Sequence, residues 1–380
     1  MNDNKINKIP LLSFFSGGGF LDMGFEMAGF QTVFSTELDK DFAQFYKEGM
    51  SNWSGEKKEI SSITDINNLE SINLEQIVES PFGIIGGPPC QDFSIQGSKK
   101  GFDGIRGTLT YSYYEKIMDL QPDFFLMENV PGLVLLKKTK DAFHAILDLF
   151  REDYFISYRR LNSLEYGVPQ HRERLFVFGV KKNDNDQIKD SKSSEWFPWP
   201  KPLFPNAESS YNWGEPENKI IENRLLLPKP PKELCINKAL VDITDEIHLP
   251  NANEYFNLKK PNKVMKIQEG DTYRPSFKRL HRAKYSPTAC YGNNEVHLHP
   301  FYQRRLSVRE ALRIQGVPDS YVLNTPGKLT KKFKMIGNGV PVPLANQIAI
   351  SIRNFLDNRN IWNVTKKDLL LNPTGRMVRT

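Results

Sequence analysis

Short apolar runs, each stopped by glycine or proline, alternate along the first half of the chain with stretches of helical spacing. No other feature constrains the fold as strongly. IPLLSFF (9–15), QTVFSTE (31–37), PFGIIGG (81–87), DFFLMEN (123–129) and RLFVFGV (174–180) read as strands. Between them FLDMGFEMA, the stretch from about Lys40, TLTYSYYEKIMDL (108–120) and residues 140–151 carry the spacing of amphipathic helices. Strands that alternate with helices imply an α/β fold, a doubly wound and mostly parallel sheet covered on both faces. Ligands of such sheets sit beyond the carboxyl ends of the strands. The residues at strand exits are therefore the candidates for chemistry.

Three exits and one strand entry stand out. SFFSGGGFLDMGF (13–25) puts three glycines between a strand and a helix, a backbone loop closing on a ligand. It has no Lys-Ser/Thr and is no P-loop, and Phe20 and Leu21 break the G-x-G-x-x-G spacing of a nicotinamide or flavin site. In IIGGPPCQDFS, Cys90 follows a strand and two prolines, which stiffen the backbone around a thiol at the sheet edge. In LMENVPG, Glu128 ends an apolar strand, a costly place for an unpaired carboxylate. In QHRERLFVFG, Arg172 and Arg174 are alternate residues of an extended segment, so both guanidinium groups can serve one site. A thiol nucleophile, a carboxyl of raised pKa and a ligand loop thus converge on one crevice.

Around residue 182 the character changes. Residues 183–260 are polar, rich in proline and tryptophan, and without clear period, which marks a second domain. Helical patterning returns in SVREALRIQG and in PLANQIAISIRNFL. Trp196, Trp199 and Trp213 are assigned to the core of that smaller domain. The 380 residues carry a net charge of +6, and from Arg274 to Lys284 five basic residues occur with no acidic one. Interleaved Tyr273, Phe277, His281 and Tyr285 make that run a candidate phosphate-tracking surface. The three cysteines form no C-x-x-C pair, which argues against zinc or a disulfide framework and for a reducing cytoplasm. No apolar run approaches the length of a membrane span, so no membrane partner is expected.

Taken together these residues closely resemble the DNA (cytosine-5) methyltransferase family. FSGGGF…MGFE, E37-L-D39, T64-D-I, GGPPCQDFS, GIRGTLTYSYY, ENVPG, YGVPQHRER, RRLSVREALRIQGVPDSY and KMIGNGVPVP run in the family's order. The likeness covers 10–182 and about 285–356. It implies the class I S-adenosylmethionine-dependent methyltransferase fold, with a catalytic domain at 1–183, a target-recognition domain at 184–333 and a returning segment at 334–380.

The resemblance also implies the chemistry. Cys90 would attack carbon 6 of a flipped-out cytosine, Glu128 would bond the exocyclic amine and ring nitrogen 3, and Arg174 with Arg172 would hold the base. S-adenosyl-L-methionine would be held by Phe15, Ser16, Gly17, Gly19, Glu37, Leu38, Asp65, Ile66, Pro88, Asn338 and Val340, with Glu37 on the ribose hydroxyls. Duplex DNA would meet Gln91, Ser94, Lys99, Lys100 and Arg106, then Arg274, Lys278, Arg279 and Arg282. No metal is called for. A monomeric cytoplasmic enzyme of bacterial or phage type is expected, with a separate cognate restriction endonuclease. Two alternatives stand beside this reading. One is a tRNA cytosine-5 methyltransferase, although that branch typically reads PPCQPFT where this chain has PPCQDFS. The other is a non-catalytic DNA-binding regulator. One departure is that Phe20 stands where the family usually has a second paired glycine. If that position needs positive φ or a close approach, phenylalanine costs energy there.

Overall fold

The structure is a computed structural model and describes residues 8–89, 108–183, 195–214, 227–258, 261–289, 291, 296–359, 369–371 and 377–379. Six strands build the central sheet: β1 (Ile9–Phe14), β2 (Phe30–Thr36), β3 (Gly83–Gly86), β4 (Phe124–Asn129), β5 (Tyr154–Asn162) and β6 (Glu173–Lys181). Their spatial order is β2-β1-β3-β4-β6-β5. The four at the β2 side are parallel, whereas β6 runs antiparallel to β4 and β5 antiparallel to β6. The expected parallel sheet is thus its first four strands, closed by an antiparallel pair. β5 escapes the sequence pattern because it is an edge strand with Arg159 and Arg160 exposed on it.

Alternation along the strands sorts their side chains into two cores. Leu12, Phe14, Ile84, Phe125 and Met127 face α3 (Leu109–Leu120) and α4 (Lys137–Phe150). Leu11, Ile85, Phe124, Leu126 and Phe178 face α1 (Phe20–Met27) and α7 (Val342–Asn358). Both faces of these strands are buried, as their near-continuous apolar runs require. Trp196 and Trp199 belong to the second of these cores and not to a smaller domain: their indole N–H groups donate to Ile156 O and Ser157 Oγ of β5, each at 2.9 Å. That assignment is corrected. Trp213 sits apart in a small cluster with Leu164, Ala207 and Leu234.

A third core joins α1 and α2 (Lys40–Ser54) to the far end of the chain. Phe20, Phe45 and Met50 pack with Leu280, Leu312, Tyr321, Phe333 and Met335. These include residues of α5 (Val308–Ile314) and α6 (Leu329–Asn338). The expected division at 333/334 falls inside α6. Two short parallel strands, β7 (Lys278–Arg279) and β8 (His297–Leu298), lie between. Among the described residues no helix is long and apolar enough to cross a membrane.

Register decides where the chemistry sits. Phe14 pairs with Thr36 and with Gly86, and Gly86 pairs with Met127. The exits of β1, β2, β3 and β4 are therefore side by side, which brings the glycine loop, Glu37, Gly87 and Glu128 to one edge.

Candidate active site

A cavity of about 430 Å³ opens at that edge. Phe15, Ser16 and Gly17 line it, as do Glu37, Leu38, Asp65, Ile66, Asn338 and Val340, nine of the expected cofactor residues. Gly19 and Pro88 do not. Gly19 caps the start of α1 at φ 80°, and a Cβ there would meet Met50 and Tyr46 at 2.7 and 2.8 Å. Its role is a turn against α2. Pro88 turns its carbonyl to Asn129 Nδ2 at 3.0 Å, and Pro89 takes the place on the cavity wall. Both stand outside the cavity lining.

The loop's strain is at Phe15, not at Phe20. Phe15 has φ 58°, a conformation costly for a bulky residue, and strain of this kind gathers at ligand sites. Phe20 is the first residue of α1, and its ring fills the space beside Gly339, where a Cβ would lie 2.3 Å from Phe20 Cδ2. The glycine absent from the loop is thus matched by a glycine three hundred residues on. Sequence reading missed Phe20, Asp39, Phe42, Leu109, Lys334 and Met335 as lining residues. The helical spacing of Lys334, Met335 and Asn338 on α6 could have pointed to its cavity face.

At the β2 end, Glu37 Oε2 accepts from Gly17 N and Oε1 from Asp39 N, both at 2.9 Å. Burial pushes its carboxyl up and these amides pull it back. Asp65 spends Oδ1 on Asn67, while its Oδ2 has no protein partner among the described residues. Leu38 lines the same region with 61% of its surface exposed, an apolar side chain waiting for a planar ligand. Carboxylates for hydroxyl and amino groups, apolar walls and a glycine loop fit the nucleoside and amino-acid parts of S-adenosylmethionine.

At the other end, Glu128 meets Arg174 Nε at 3.0 Å. Gly87 makes room for it: a Cβ there would stand 2.8 Å from Glu128 Oε2. Burial raises the Glu128 pKa, and Arg174 and then Arg172 draw it down. Such a carboxyl can carry a proton and still release it. Arg172 does not reach the cavity. It is fully buried, and its guanidinium donates to Gly337 O at 2.8 Å and Ala289 O at 3.3 Å. Its charge still acts on Glu128, the carboxyl beside which the base is expected. Cys90, Gln91, Ser94, Lys99, Lys100 and Arg106 lie outside the described residues, but Pro89 ends at the cavity wall.

A profile of the C-5 cytosine-specific DNA methylase family matches residues 9–354, nearly the whole of this architecture. The chain belongs to that family. The methyltransferase is 37% identical over 377 residues to the Type II methyltransferase M.NmeDI of Neisseria meningitidis serogroup C, covering 95% of this chain and 87% of that protein. It is 32% identical to M.FnuDI of Fusobacterium nucleatum, over 92% and 96% of the two chains. A solved structure described as a prophage-encoded DNA modification methyltransferase from E. coli superposes with a TM-score of 0.63 at 24% identity, covering 92% of this chain and all of that one. The enzyme is thus a DNA (cytosine-5) methyltransferase that takes S-adenosyl-L-methionine as methyl donor.

The methyltransferase's basic run is less uniform in space than in sequence. Arg279 is buried, and its guanidinium donates to the carbonyls of Ile267, Val264, His299 and Tyr302 and to Gln303 Oε1. These five acceptors take up its guanidinium inside the fold, away from the DNA surface expected of it. Arg282 stays half-exposed over the Phe301 ring but pairs with Glu269 at 2.8 Å, and Arg274 reaches Asp271 at 3.5 Å. Acids outside the run, invisible to a local charge count, flank it.

Proposed function

We propose that the enzyme methylates cytosine within one short duplex sequence as the modification half of a restriction–modification system. The observation that carries the reading is the shared wall: Glu128, held by Arg174, lines the same cavity as Glu37 and the glycine loop. Cys90, one residue beyond Pro89, attacks carbon 6 as a thiolate, and carbon 5 becomes nucleophilic. Glu128 donates to ring nitrogen 3, which its raised pKa favours, and accepts from the exocyclic amine. Asn129, which ties Pro88 O to the exit of β4, fixes the spacing between the thiol's strand and Glu128. Bound in the cavity, the cofactor supplies a sulfonium methyl already activated for transfer. Carbon 5 accepts that methyl, its proton passes to water as the carbon–sulfur bond to Cys90 breaks, and ring nitrogen 3 returns its proton to Glu128.

The target carbon is enclosed in the duplex, so the base is flipped out before reaction, at a cost of a few kcal/mol in unstacking. Arg274, Lys278 and Arg282 are the described cations offered to the backbone. The protein acts as a cytoplasmic monomer, and any endonuclease partner acts separately on the same site. Bisulfite sequencing of a plasmid propagated with this gene tests the reading. Protected cytosines in one sequence context are expected. Label from the cofactor entering tRNA and not duplex DNA overturns it.

A further inference from the structure

Beneath the cofactor cavity lies a carboxyl group that the methyl transfer does not use. Asp22, in the first turn of α1, is completely buried. Ser13 Oγ donates to its Oδ1 at 2.7 Å and the Tyr46 hydroxyl to its Oδ2 at 2.9 Å. Ser13 Oγ is also 2.9 Å from Ser16 Oγ, and Ser16 lines the cavity. Asp22, Ser13 and Ser16 form one unbroken chain of hydrogen bonds from a buried acid to the cavity wall.

Its surroundings leave the acid poorly compensated. From β1 and α2 it meets only the neutral hydroxyls of Ser13 and Tyr46. On its own helix the next charge is Glu26, and Lys58, the nearby cation, is paired with Glu26 at 2.9 Å. Burial consequently pushes the Asp22 pKa up to about 7. The direction of the hydroxyl chain follows the proton. When Asp22 is ionised, Ser13 must donate to it, Ser16 donates to Ser13, and Ser16 shows lone pairs to the cavity. When Asp22 carries a proton, it can donate to Ser13 and Ser13 to Ser16, whose own hydrogen is then shared between Ser13 O, 3.2 Å away, and the cavity.

We propose that Asp22, Ser13 and Ser16 are a positioning relay that senses the positive charge of the cofactor and releases a proton when the cavity is filled. The inference rests on S-adenosylmethionine as the occupant. That molecule carries a sulfonium and an ammonium against one carboxylate, net +1, and favours the ionised relay. The product S-adenosylhomocysteine is a neutral thioether of net charge zero and favours it less. By linkage, a ligand that prefers ionised Asp22 lowers its pKa and binds better as the pH rises through the transition. The relay therefore discriminates cofactor from spent product more strongly on the alkaline side of about pH 7.

Isothermal titration calorimetry in buffers of different ionisation enthalpy reads the proton directly, with no turnover. Titrating S-adenosylmethionine and S-adenosylhomocysteine separately from about pH 6 to 8, the relay gives proton release with the first and less with the second. The ratio of their dissociation constants moves toward the cofactor by about tenfold, the effect of a one-unit pKa shift. Asp22→Asn removes most of the difference. Ser13→Ala, which keeps the buried carboxyl and cuts the chain, weakens it, and so serves if Asp22→Asn does not fold. Glu37 and Glu128 also face the cavity, and the proton release that remains in Asp22→Asn measures their share. Equal proton release in Asp22→Asn, or a pH-independent ratio in the unmodified enzyme, overturns the relay. Failure of either ligand to bind at any pH strikes the cofactor site itself, and the relay with it.

Discussion

Adding one methyl group at Gly339 isolates the packing that replaces the loop's absent glycine. An alanine Cβ would lie 2.3 Å from Phe20 Cδ2, 2.9 Å from Cε2 and 3.2 Å from Cγ. The backbone offers no other objection, because Gly339 has φ −65° and ψ 152°, open to any L-residue. The ring cannot swing aside cheaply. It is 2% exposed and stands edge-on to Tyr321 at 5.4 Å, and the Tyr321 hydroxyl donates to Gly18 O at 2.8 Å. Displacing Phe20 therefore pushes on the glycine loop itself. Overpacking of this kind costs about 1–3 kcal/mol. Phe20→Leu alone leaves a partial void and costs roughly 1–2 kcal/mol. In the double variant the leucine vacates the contested space, so the two losses overlap, with a coupling of about 1 kcal/mol or more. Urea unfolding of the four proteins measures this, and calorimetric titration with S-adenosylhomocysteine shows weaker binding in Gly339→Ala alone. A Gly339→Ala enzyme within about 0.5 kcal/mol of the parent, or strictly additive losses, refutes the reasoning.

Three further outcomes follow from the same geometry. Arg279→Met strands several buried carbonyls and lowers stability by at least about 3 kcal/mol, without changing the salt dependence of DNA binding. Arg274→Gln and Lys278→Gln each flatten the slope of log Kd against log salt by about one while leaving stability near the parent's; the reverse pattern would return Arg279 to the DNA surface. Asp22 keeps its proton to about pH 7 in the fold against 3.8 in an unfolded chain, so the folded state loses stability as pH rises between those values. The loss is on the order of 4 kcal/mol, and Asp22→Asn gains on the parent from about pH 5 to 8; a constant difference in urea unfolding contradicts this. Duplex DNA with 5-fluorocytosine at the target traps Cys90 in a denaturation-stable adduct, because fluorine cannot leave as a proton does. Intact binding without that adduct removes Cys90 as nucleophile.

What the sequence disclosed was whatever is written in local pattern. Strand runs, their glycine and proline stops, and therefore the shared edge bearing Glu37 and Glu128 follow from period and register. The residues it misplaced are those whose meaning depends on distant partners. Arg279 looked like its basic neighbours until Ile267, Val264 and His299 carbonyls closed around it. Trp196 and Trp199 lay in a segment of foreign composition, yet their rings complete the core against β5 and β6. β5 was hidden by two exposed arginines on an edge, where half the pattern faces water. Phe20 was visible as an anomaly, but only Gly339 explains it.

The Gln-x-Arg-x-Arg segment shows how the distant parts become one site. Gln170 Nε2 reaches Gln315 Oε1 at 3.1 Å, Gln315 Nε2 reaches Ile336 O at 2.7 Å, and Ala289 N donates to Gln170 Oε1 at 2.8 Å. Two residues on, Arg172 takes Gly337 O and Ala289 O and still draws down the Glu128 pKa. Two more on, Arg174 touches Glu128 itself. One extended segment thus sends a first side chain into the buried hub, a second between hub and carboxyl, and a third onto the carboxyl. The same carbonyls at 336 and 337 belong to the last turn of the helix whose final residue, Asn338, walls the cofactor cavity together with Val340. A shift of that wall moves Gly337 O, hence Arg172, hence the charge that sets the Glu128 proton. The cofactor wall and Glu128 are thus linked through Arg172, by a hydrogen bond on one side and by charge on the other, although nearly the whole length of the chain separates the first cavity residue from the last.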